Sequence, residues 1–360
     1  MTTSLDLEPA TGPAAWRGDE LAGSDAWIHH LTTEEVAELE AVGRRFVDDD
    51  PDLRTVRPED YPLDVCAEQL RSTAQELDRG RGFLLVRGLR TQHYSDALSA
   101  AIFYVMGLHL GEPMRQNELG DLLDHVMATT DKTLDDPTAL GSRTRDKLNF
   151  HSDSSDIVGL MCLRPSKAGG ASSLVSGATL YNEVLARRPD LAPLLFEPFH
   201  HDWYKQDHDA PQRYYTSPIC SRVDGVFSIY GGNRMIFSAQ DYPEVPRLTE
   251  AQIELLHLID DVAREPGVAL DMDFRPGDVQ WLLNYAAMHS RTEYQDFPEL
   301  QRRRHLLRLW LRHDSGRPVV PGFGRNVVQG RTQTRTDGDA DDRGNFSIGT
   351  ASIPRLDWGV

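Results

Sequence analysis

The chain has 360 residues, enough to bury a large core as one domain, and its 56 acidic and 38 basic side chains give a net charge of −18. An acidic surface of this kind repels phosphate backbones and anionic bilayers, so we expect neither nucleic acid nor a membrane as partner. The chain has three scattered cysteines, Cys66, Cys162 and Cys220, which predict buried thiols in a reducing compartment. It contains no apolar run of membrane-spanning length and no signal-peptide pattern, so we expect a cytoplasmic protein.

The first 145 residues predict helices around one strand. Residues 1–30 are rich in Gly, Ala, Pro and Asp, which predicts an irregular arm. Thr32 and Glu35 form a capping box, the usual start of a helix. Helices are predicted at 32–46, 63–77 and 94–110, and a buried strand at 82–88. The polar stretch 111–145 predicts either a lid over a site or a solvated surface excursion.

Short strands dominate the second half of the chain. They are predicted at 174–176, 214–220, 226–230, 268–274, 279–283 and 305–312, with helices at 178–188 and 249–264. Pro276 and Gly277 occupy the centre of a type II turn before one of these strands. Many short strands with few helices predict a sandwich or a jelly-roll barrel. After Pro318 the chain becomes polar, and 329–345 has too little apolar content to order itself.

His151 and Asp153 stand two residues apart just before the apolar run 157–163. In an extended backbone such side chains point to the same side, so both could bind one cation. A histidine and a carboxylate are two of the three ligands of the facial triad that holds non-haem Fe(II). The motif is short and recurs by chance, and His200-His201-Asp202 contains a second copy.

His289 offers a third ligand because it follows directly on the strand after the Pro276-Gly277 turn. In a jelly roll, a strand late in the chain can lie beside an early one. A histidine at an apolar-to-polar boundary is also a common hydrogen-bonded structural residue, and that alternative stays open here.

The following strand adds two arginines. Its period of two puts Arg304, Leu306, Arg308 and Trp310 on one face and three leucines on the other. Guanidiniums on an apolar strand need carboxylate partners, either in the protein or in a ligand. Beside an iron site, 2-oxoglutarate is such a ligand, since one end chelates the metal and the other requires a cation some distance away.

Together these residues resemble the Fe(II)/2-oxoglutarate-dependent oxygenases of the taurine dioxygenase and clavaminate synthase-like family. The resemblance spans about residues 82–312 and rests on the order and approximate spacing of His151-Ser152-Asp153, Gly169-Gly170-Ala171-Ser172, His289 and Arg304-x-x-x-Arg308. It implies a mixed α/β, mainly β fold, with a double-stranded β-helix (jelly-roll) core and flanking α-helices. It also implies Fe(II), 2-oxoglutarate as cosubstrate, and O₂.

With that resemblance the chain divides into three parts. We expect an arm at 1–30, one catalytic jelly-roll domain with a helical N-terminal part at 31–318, and a polar, partly flexible tail at 319–360. The sequence leaves a homo-oligomer open.

The resemblance implies a role for each matching residue. His151, Asp153 and His289 are the implied iron ligands and catalytic residues. Arg304 is the implied partner of the distal 2-oxoglutarate carboxylate, with Ser172 beside it where the family often has Thr. Arg308 matches the position that binds the acidic group of the substrate in amino-acid oxygenases of the family. A metal-binding Asp153 disfavours halogenation, because related halogenases have Gly or Ala there.

The implied reaction is hydroxylation of an unactivated C–H bond of a small anionic or zwitterionic molecule such as an amino acid, with release of succinate and CO₂. Alternatives are an oxygenase for a sulfonate, phosphonate or aryloxy acid, a desaturation or cyclisation, and a jelly-roll metal- or sugar-binding protein without redox activity. Gln116, Asn117, His125 and Asn149 are predicted substrate-pocket residues from their place around the site, with ordinary loop polarity as the alternative.

Overall fold

The computed structural model describes residues 7–117, 119–136, 139–202, 213–324 and 344–356, and these form eight α-helices and seventeen strands. The helices are α1 (Gly18–Ala22), α2 (Thr33–Asp49), α3 (Ala67–Arg79), α4 (Asp96–Leu108), α5 (Gly177–Arg187), α6 (Asn233–Ala239), α7 (Glu250–Ala263) and α8 (Ile348–Ala351). The first strands are β1 (Ile28–His30), β2 (Phe83–Arg87), β3 (Glu112–Pro113), β4 (Asp124–Val126), β5 (Leu148–His151), β6 (Ile157–Arg164), β7 (Ala168–Gly169) and β8 (Ser172–Ser176). The remaining strands are β9 (Pro198–Asp202), β10 (Tyr214–Pro218), β11 (Cys220–Val223), β12 (Val226–Ile229), β13 (Leu270–Met272), β14 (Val279–Leu283), β15 (Ala287–Arg291), β16 (Tyr294–Gln295) and β17 (His305–Arg312).

Two sheets form the centre of the molecule. The larger has the order β1-β2-β14-β6-β17-β3, and β4 also pairs with β17; only β1 and β2 run parallel. The smaller has the order β13-β8-β15-β5 and is antiparallel throughout. Because β14 joins the larger sheet and β15 the smaller, the short turn at 284–286 carries the chain from one sheet to the other.

The apolar residues divide by face, as the strand period requires. One buried cluster contains Leu160 and Leu306 of the larger sheet together with Leu174 of the smaller sheet, so the two sheets pack face to face. The opposite face of β17, including Leu309, packs in a second cluster with α4. A third cluster joins the outer face of the smaller sheet to α5 and α7. The layers are therefore helix, sheet, sheet and helix: a double-stranded β-helix core with flanking helices, as expected.

Local signals in the sequence account for several element boundaries. Thr32 caps α2 and exchanges the two hydrogen bonds of a capping box with Glu35. In the turn before β14, the amide of Asp278 donates to the carbonyl of Arg275 at 3.0 Å, and Gly277 has φ of 92°, the positive value that a type II turn requires. A Cβ at Gly277 would also lie 2.0 Å from the carbonyl oxygen of Leu89.

The polar stretch 111–145 differs from the expected loop. It contains β3 and β4, which both pair with β17 and so extend the larger sheet. The predicted arm likewise contains α1 and β1, and β1 forms the edge of the same sheet. Helix α6 was not predicted, because it has only seven residues and follows two glycines without a side-chain cap.

The C-terminal segment 344–356 packs on the domain. Helix α8 lies against α4, and the carbonyl of Phe346 accepts a hydrogen bond from the amide of Leu53. Most of the stretch 329–345, predicted to lack order, lies outside the described residues. The three cysteines are buried free thiols. Among the described residues, no helix has both the length and the apolar character needed to cross a bilayer.

Candidate metal centre and adjoining pocket

Neighbouring strands bring two histidines and one carboxylate together. His151 at the end of β5 is the register partner of His289 in β15, and the ring centroids lie 4.3 Å apart. Asp153 follows β5, with Oδ1 at 3.7 Å from Nε2 of His151 and Oδ2 at 3.9 Å from Nε2 of His289. The three candidate ligand atoms all lie within 4.8 Å of one another. Such a donor set suits a divalent first-row metal with open positions.

Both histidines are arranged to act as metal ligands. Nδ1 of His151 donates to the carbonyl of Asn149 at 2.8 Å, which leaves Nε2 as the lone-pair nitrogen on the side of Asp153. Burial, with His151 adding to it, lowers the pKa of His289 to about 3. A metal requires the unprotonated ring, so the residues present fit a bound cation.

Asp153 is held at three points. Its backbone amide donates to Oδ1 of Asn284 at 3.0 Å, and Oδ2 accepts a hydrogen bond from Nε1 of Trp310 at 2.8 Å and lies 3.5 Å from Nη1 of Arg308. Burial alone raises the pKa of this carboxyl, but Arg308 and the two histidines bring the pKa below its ordinary value. Asp153 is therefore ionised and oriented before any ligand arrives.

Arg304 is a buried cation with an unmatched donor. It is 3 % exposed and lies directly before β17, its amide donates to Asp296, and Nη2 lies 3.5 Å from the carbonyl of Gly170. Nη1 has no hydrogen-bond partner within the described part of the chain. Burial lowers the pKa of Arg304. Because an unpaired buried N–H is costly, this guanidinium fits a carboxylate ligand in the pocket that it lines.

Ser172 lines the same pocket and is buried in β8. The described structure contains no hydrogen bond between Ser172 and Arg304; the side chain that approaches the guanidinium face is Tyr294, whose ring centroid lies 5.2 Å from the guanidinium carbon. Gly170 passes close enough that a Cβ there would lie 3.1 Å from Nε of Arg304.

Arg308 is bound by protein groups. Nη2 is 3.1 Å from Oδ2 of Asp124, Nε donates to Oε1 of Gln116 at 2.9 Å, and Nη1 faces Asp153. Asp124 is itself shared with the buried Arg143. The sequence left open whether the partner of Arg308 is a protein carboxylate or a ligand, and the structure supplies protein carboxylates.

Three of the four predicted pocket residues line the pocket, and one does not. Gln116, Asn117 and Asn149 are on its wall; Gln116 donates to the carbonyls of Leu122 and Arg308, and Asn117 donates to Asp121. His125, by contrast, does not line the pocket. Its position in β4 turns it to the opposite side from Asp124, and its ring nitrogens bond to His305 at 2.7 Å and to the carbonyl of Ala351 at 2.9 Å.

The second His-x-Asp motif forms no part of this centre. His201 is buried in β9, where Nε2 donates to the carbonyl of Ser217 and the ring stacks on Tyr215. Asp202 reaches the pocket wall but accepts hydrogen bonds from Tyr242 and Ser238.

The pocket around the centre has a volume of about 970 Å³. Several charged residues on its wall were not selected from the sequence, because none belongs to a recognisable motif; they are Lys132, Arg143, Lys147, Arg234, Asp241, Asp260 and Arg291. Arg291 is buried and donates to the carbonyls of Thr144 and Asp146, so it ties the 141–147 wall of the pocket to β15.

The chain matches one protein family over most of its length. The profile of the taurine catabolism dioxygenase TauD, TfdA family matches residues 52–310. Among curated proteins, FR-33289 synthase of Streptomyces rubellomurinus is 26 % identical over 318 residues, covering 86 % of this chain and 92 % of that protein. The taurine hydroxylase-like protein SAT17 of Stachybotrys chartarum is 27 % identical over 305 residues, covering 82 % of this chain and 77 % of that protein.

Solved structures share the fold. An asparagine oxygenase, in complex with Fe(II), 2S,3S-3-hydroxyasparagine and succinate, superposes with a TM-score of 0.61 at 15 % identity over 79 % of this chain and 93 % of that one. The non-haem iron oxygenase OrfP, in complex with Fe, succinate and (3S)-hydroxy-L-Arg, also gives 0.61, at 16 % identity over 80 % of this chain and 94 % of that one.

Proposed function

Because the chain belongs to the taurine catabolism dioxygenase TauD, TfdA family and is thereby an Fe(II)/2-oxoglutarate-dependent dioxygenase, we propose that it hydroxylates a small amino acid or related carboxylate at an unactivated C–H bond. Family membership removes the non-enzymatic jelly-roll binding protein from consideration. The observation that carries the proposal is the convergence of two histidines and one carboxylate with a buried arginine on the wall of the same pocket.

In this proposal His151, Asp153 and His289 hold the iron. The support is their spacing, the uncharged state of His289 and the ionised state of Asp153. When bound, iron with 2-oxoglutarate and O₂ supplies the oxidising chemistry, with succinate and CO₂ as coproducts. The contribution of the protein is to position the reactants and to keep water away from them.

Arg304 binds the distal carboxylate of 2-oxoglutarate in this assignment. Its unmatched Nη1 offers a charge-assisted hydrogen bond, and burial makes that bond stronger than it would be in water. Tyr294 and the backbone of Gly170 restrict the guanidinium, so that little freedom is lost when the carboxylate binds.

Arg308 and Arg143 favour a substrate with an acidic group. Both contact Asp124 and line the pocket, and the second carboxylate beside Arg308, Asp153, is a proposed iron ligand. Asp202, Asp241 and Asp260 also line the pocket, so its wall carries both signs of charge, as a zwitterionic amino acid would match. The structures of the asparagine oxygenase and of OrfP, which have the same fold, contain hydroxylated amino acids, which adds support.

A sulfonate is the second candidate. The curated relative described as taurine hydroxylase-like favours it, and an arginine pair accepts a sulfonate as readily as a carboxylate. Desaturation or cyclisation of the same substrate would need the same residues.

The test is a substrate screen with a matched pair. Purified enzyme with Fe(II), 2-oxoglutarate and O₂ is incubated with each standard amino acid, and with β-alanine and taurine as a carboxylate and sulfonate of equal length. We expect at least one amino acid to stimulate succinate formation and to gain one oxygen atom from ¹⁸O₂, with the His289→Ala protein as the blank. Stimulation by sulfonates alone would establish the second candidate in place of the first.

A further inference from the structure

Trp310 makes a polar contact inside the pocket, although its neighbours on that strand are apolar or charged. Its Nε1–H donates to Oδ2 of Asp153 at 2.8 Å, and Nη1 of Arg308 lies 3.5 Å from the same oxygen. Oδ1 of Asp153 instead faces Nε2 of His151 at 3.7 Å. Oδ2 in turn lies 3.9 Å from Nε2 of His289, so each oxygen faces one histidine, and the difference between them is that Oδ2 also has the N–H groups of Trp310 and Arg308 beside it.

The fold fixes the indole in this place. Trp310 is 3 % exposed, lies opposite Val158 in the pairing of β17 with β6, and has the guanidinium carbon of Arg308 at 4.5 Å from its ring. An indole N–H is a donor only, so it does not compete for a cation. Its polar role here is to hold an acceptor, and that acceptor is Asp153.

Arg308 does not hold this oxygen by itself. Its contact with Oδ2 is long at 3.5 Å, and the same guanidinium is shared with Asp124 and Gln116. The hydrogen bond from Trp310 is the short one. Loss of the indole N–H would leave the long contact with Arg308 as the weaker restraint on rotation of the Asp153 carboxylate about its Cβ–Cγ bond.

We propose that Trp310 is a positioning residue that keeps Asp153 bound to the iron through Oδ1 alone, an inference that rests on the iron site of the proposed function. A carboxylate binds a metal through one oxygen or both, and the second oxygen takes up a coordination position. With Oδ2 held by Trp310, that position stays available for the cosubstrate and O₂. Outer partners of metal ligands commonly change metal affinity or activity by about 10- to 100-fold when they are lost.

The test compares two tryptophan-to-phenylalanine variants, with Co(II) as the probe. Trp310→Phe removes the N–H donor and retains an aromatic ring over Arg308. Trp281→Phe is the matched control. Trp281 is fully buried in β14 of the same sheet, but its Nε1 has no hydrogen-bond partner in the described structure. Co(II) affinity, the visible absorption of bound Co(II) and its change on adding 2-oxoglutarate are measured for both variants and for the parent.

We expect Trp310→Phe to bind Co(II) about 10- to 100-fold more weakly than the parent and to show an altered Co(II) spectrum with 2-oxoglutarate. Trp281→Phe should unfold at a lower temperature but keep the parent's Co(II) affinity and spectrum. If Trp310→Phe matches the parent in affinity and spectrum, the inference is wrong while the iron site stands. If the parent itself binds no Co(II), the iron site of the proposed function fails instead.

A measurement on the parent protein covers the case in which Trp310→Phe does not fold. The chain has 6 tryptophans, so substituting the other five one at a time assigns the indole ¹H–¹⁵N resonance of Trp310 by elimination. We expect diamagnetic Zn(II) to move this resonance and to leave that of Trp281 in place. A Trp310 resonance that does not respond to saturating Zn(II) would overturn the inference.

Discussion

The guanidinium carbon of Arg304 lies 5.2 Å from the ring centroid of Tyr294, and Arg291 approaches the same ring at 4.9 Å. An aromatic ring between two cations stabilises both and holds them in place. Arg291 donates hydrogen bonds to the loop carbonyls of Gly141, Thr144 and Asp146. Nη1 of Arg304, in contrast, has no hydrogen-bond partner in the described part of the chain. Of these two arginines, Arg304 is therefore the one prepared to receive an anion.

Arg304→Lys should raise the 2-oxoglutarate requirement strongly while leaving metal binding intact. An ammonium group cannot reproduce the planar fork of arginine, and loss of a charge-assisted pair of about 1.5–3 kcal/mol corresponds to about a 10- to 150-fold weaker cosubstrate. The measurement is the 2-oxoglutarate dependence of succinate formation, with Arg302→Lys on the exposed side of the same turn as control. An unchanged titration would mean that Arg304 binds a protein group during turnover.

His289→Ala should abolish iron retention and turnover, and His151→Ala should do the same, because two remaining protein ligands compete poorly with water for Fe(II). His200→Ala is the matched control, since His200 is a half-buried histidine in the second His-x-Asp motif. Metal analysis of the purified proteins decides the matter. Stoichiometric iron and full activity in His289→Ala would make His289 a structural histidine.

Arg308→Ala should uncouple the enzyme: 2-oxoglutarate would still decompose slowly, but substrate would no longer stimulate succinate formation. The expected loss is about 1.5–3 kcal/mol of transition-state binding for acidic substrates. Because Arg308 also contacts Asp153, we expect metal affinity to fall as well. Arg312→Ala, at the partly exposed end of the strand, is the control.

The ratio of hydroxylated product to succinate measures the coupling of Arg308→Ala. An amide or ester analogue of the substrate should react equally poorly with parent and variant. If the variant still discriminates acid from amide as the parent does, Arg308 has no part in recognising the substrate.

His201 should make the protein lose stability in mild acid. Burial lowers the pKa of His201 to about 4, from 6.5. Between these values the unfolded chain binds a proton that the folded chain does not, so stability rises with pH across this window by up to about 1.4 kcal/mol per pH unit. Urea unfolding at several pH values should show a shallower slope for His201→Gln than for the parent. The exposed His30→Gln should behave as the parent does; equal slopes in all three proteins would contradict the prediction.

Gly159→Ala should destabilise the sheet without touching the site. A Cβ there would lie 2.3 Å from the Trp281 ring and 3.1 Å from that of Phe103. Overpacking of this kind costs about 1–3 kcal/mol. Chemical denaturation measures the loss, and Gly23→Ala, which meets nothing within 4 Å, is the control.

The sequence predicts correctly which side chains share a face where a strand alternates strictly. The alternation of residues 304–312 places Arg304, Arg308 and Trp310 on the inner face and Leu307 and Leu309 on the outer, and the structure has the same division. A period of two is enough to group alternate side chains of one strand on the same face.

The partners of Arg308 could not be predicted in the same way. Asp124 precedes it by 184 residues in a polar stretch with no periodic signal, and only the pairing of β4 with β17 brings the two together. His125 illustrates the same difficulty. An imidazole side chain suits a pocket, but either His125 or Asp124 can face the pocket, depending on the register in which β4 pairs with β17. The two or three polar residues of so short a strand do not specify that register.

The C-terminal segment 344–356 has a consequence for the order of folding. The amide of Asn345 and the guanidinium of Arg355 bond to Asp121, and the carbonyl of Ala351 bonds to His125, so this segment supports β4 and the residues just before it. A ribosome delivers residues 151–310, with the whole metal centre, before it delivers this support. A nascent chain can thus assemble its metal-binding part first, and the hydrogen bonds to Asp121 and His125 form only after residues 344–356 have been synthesised.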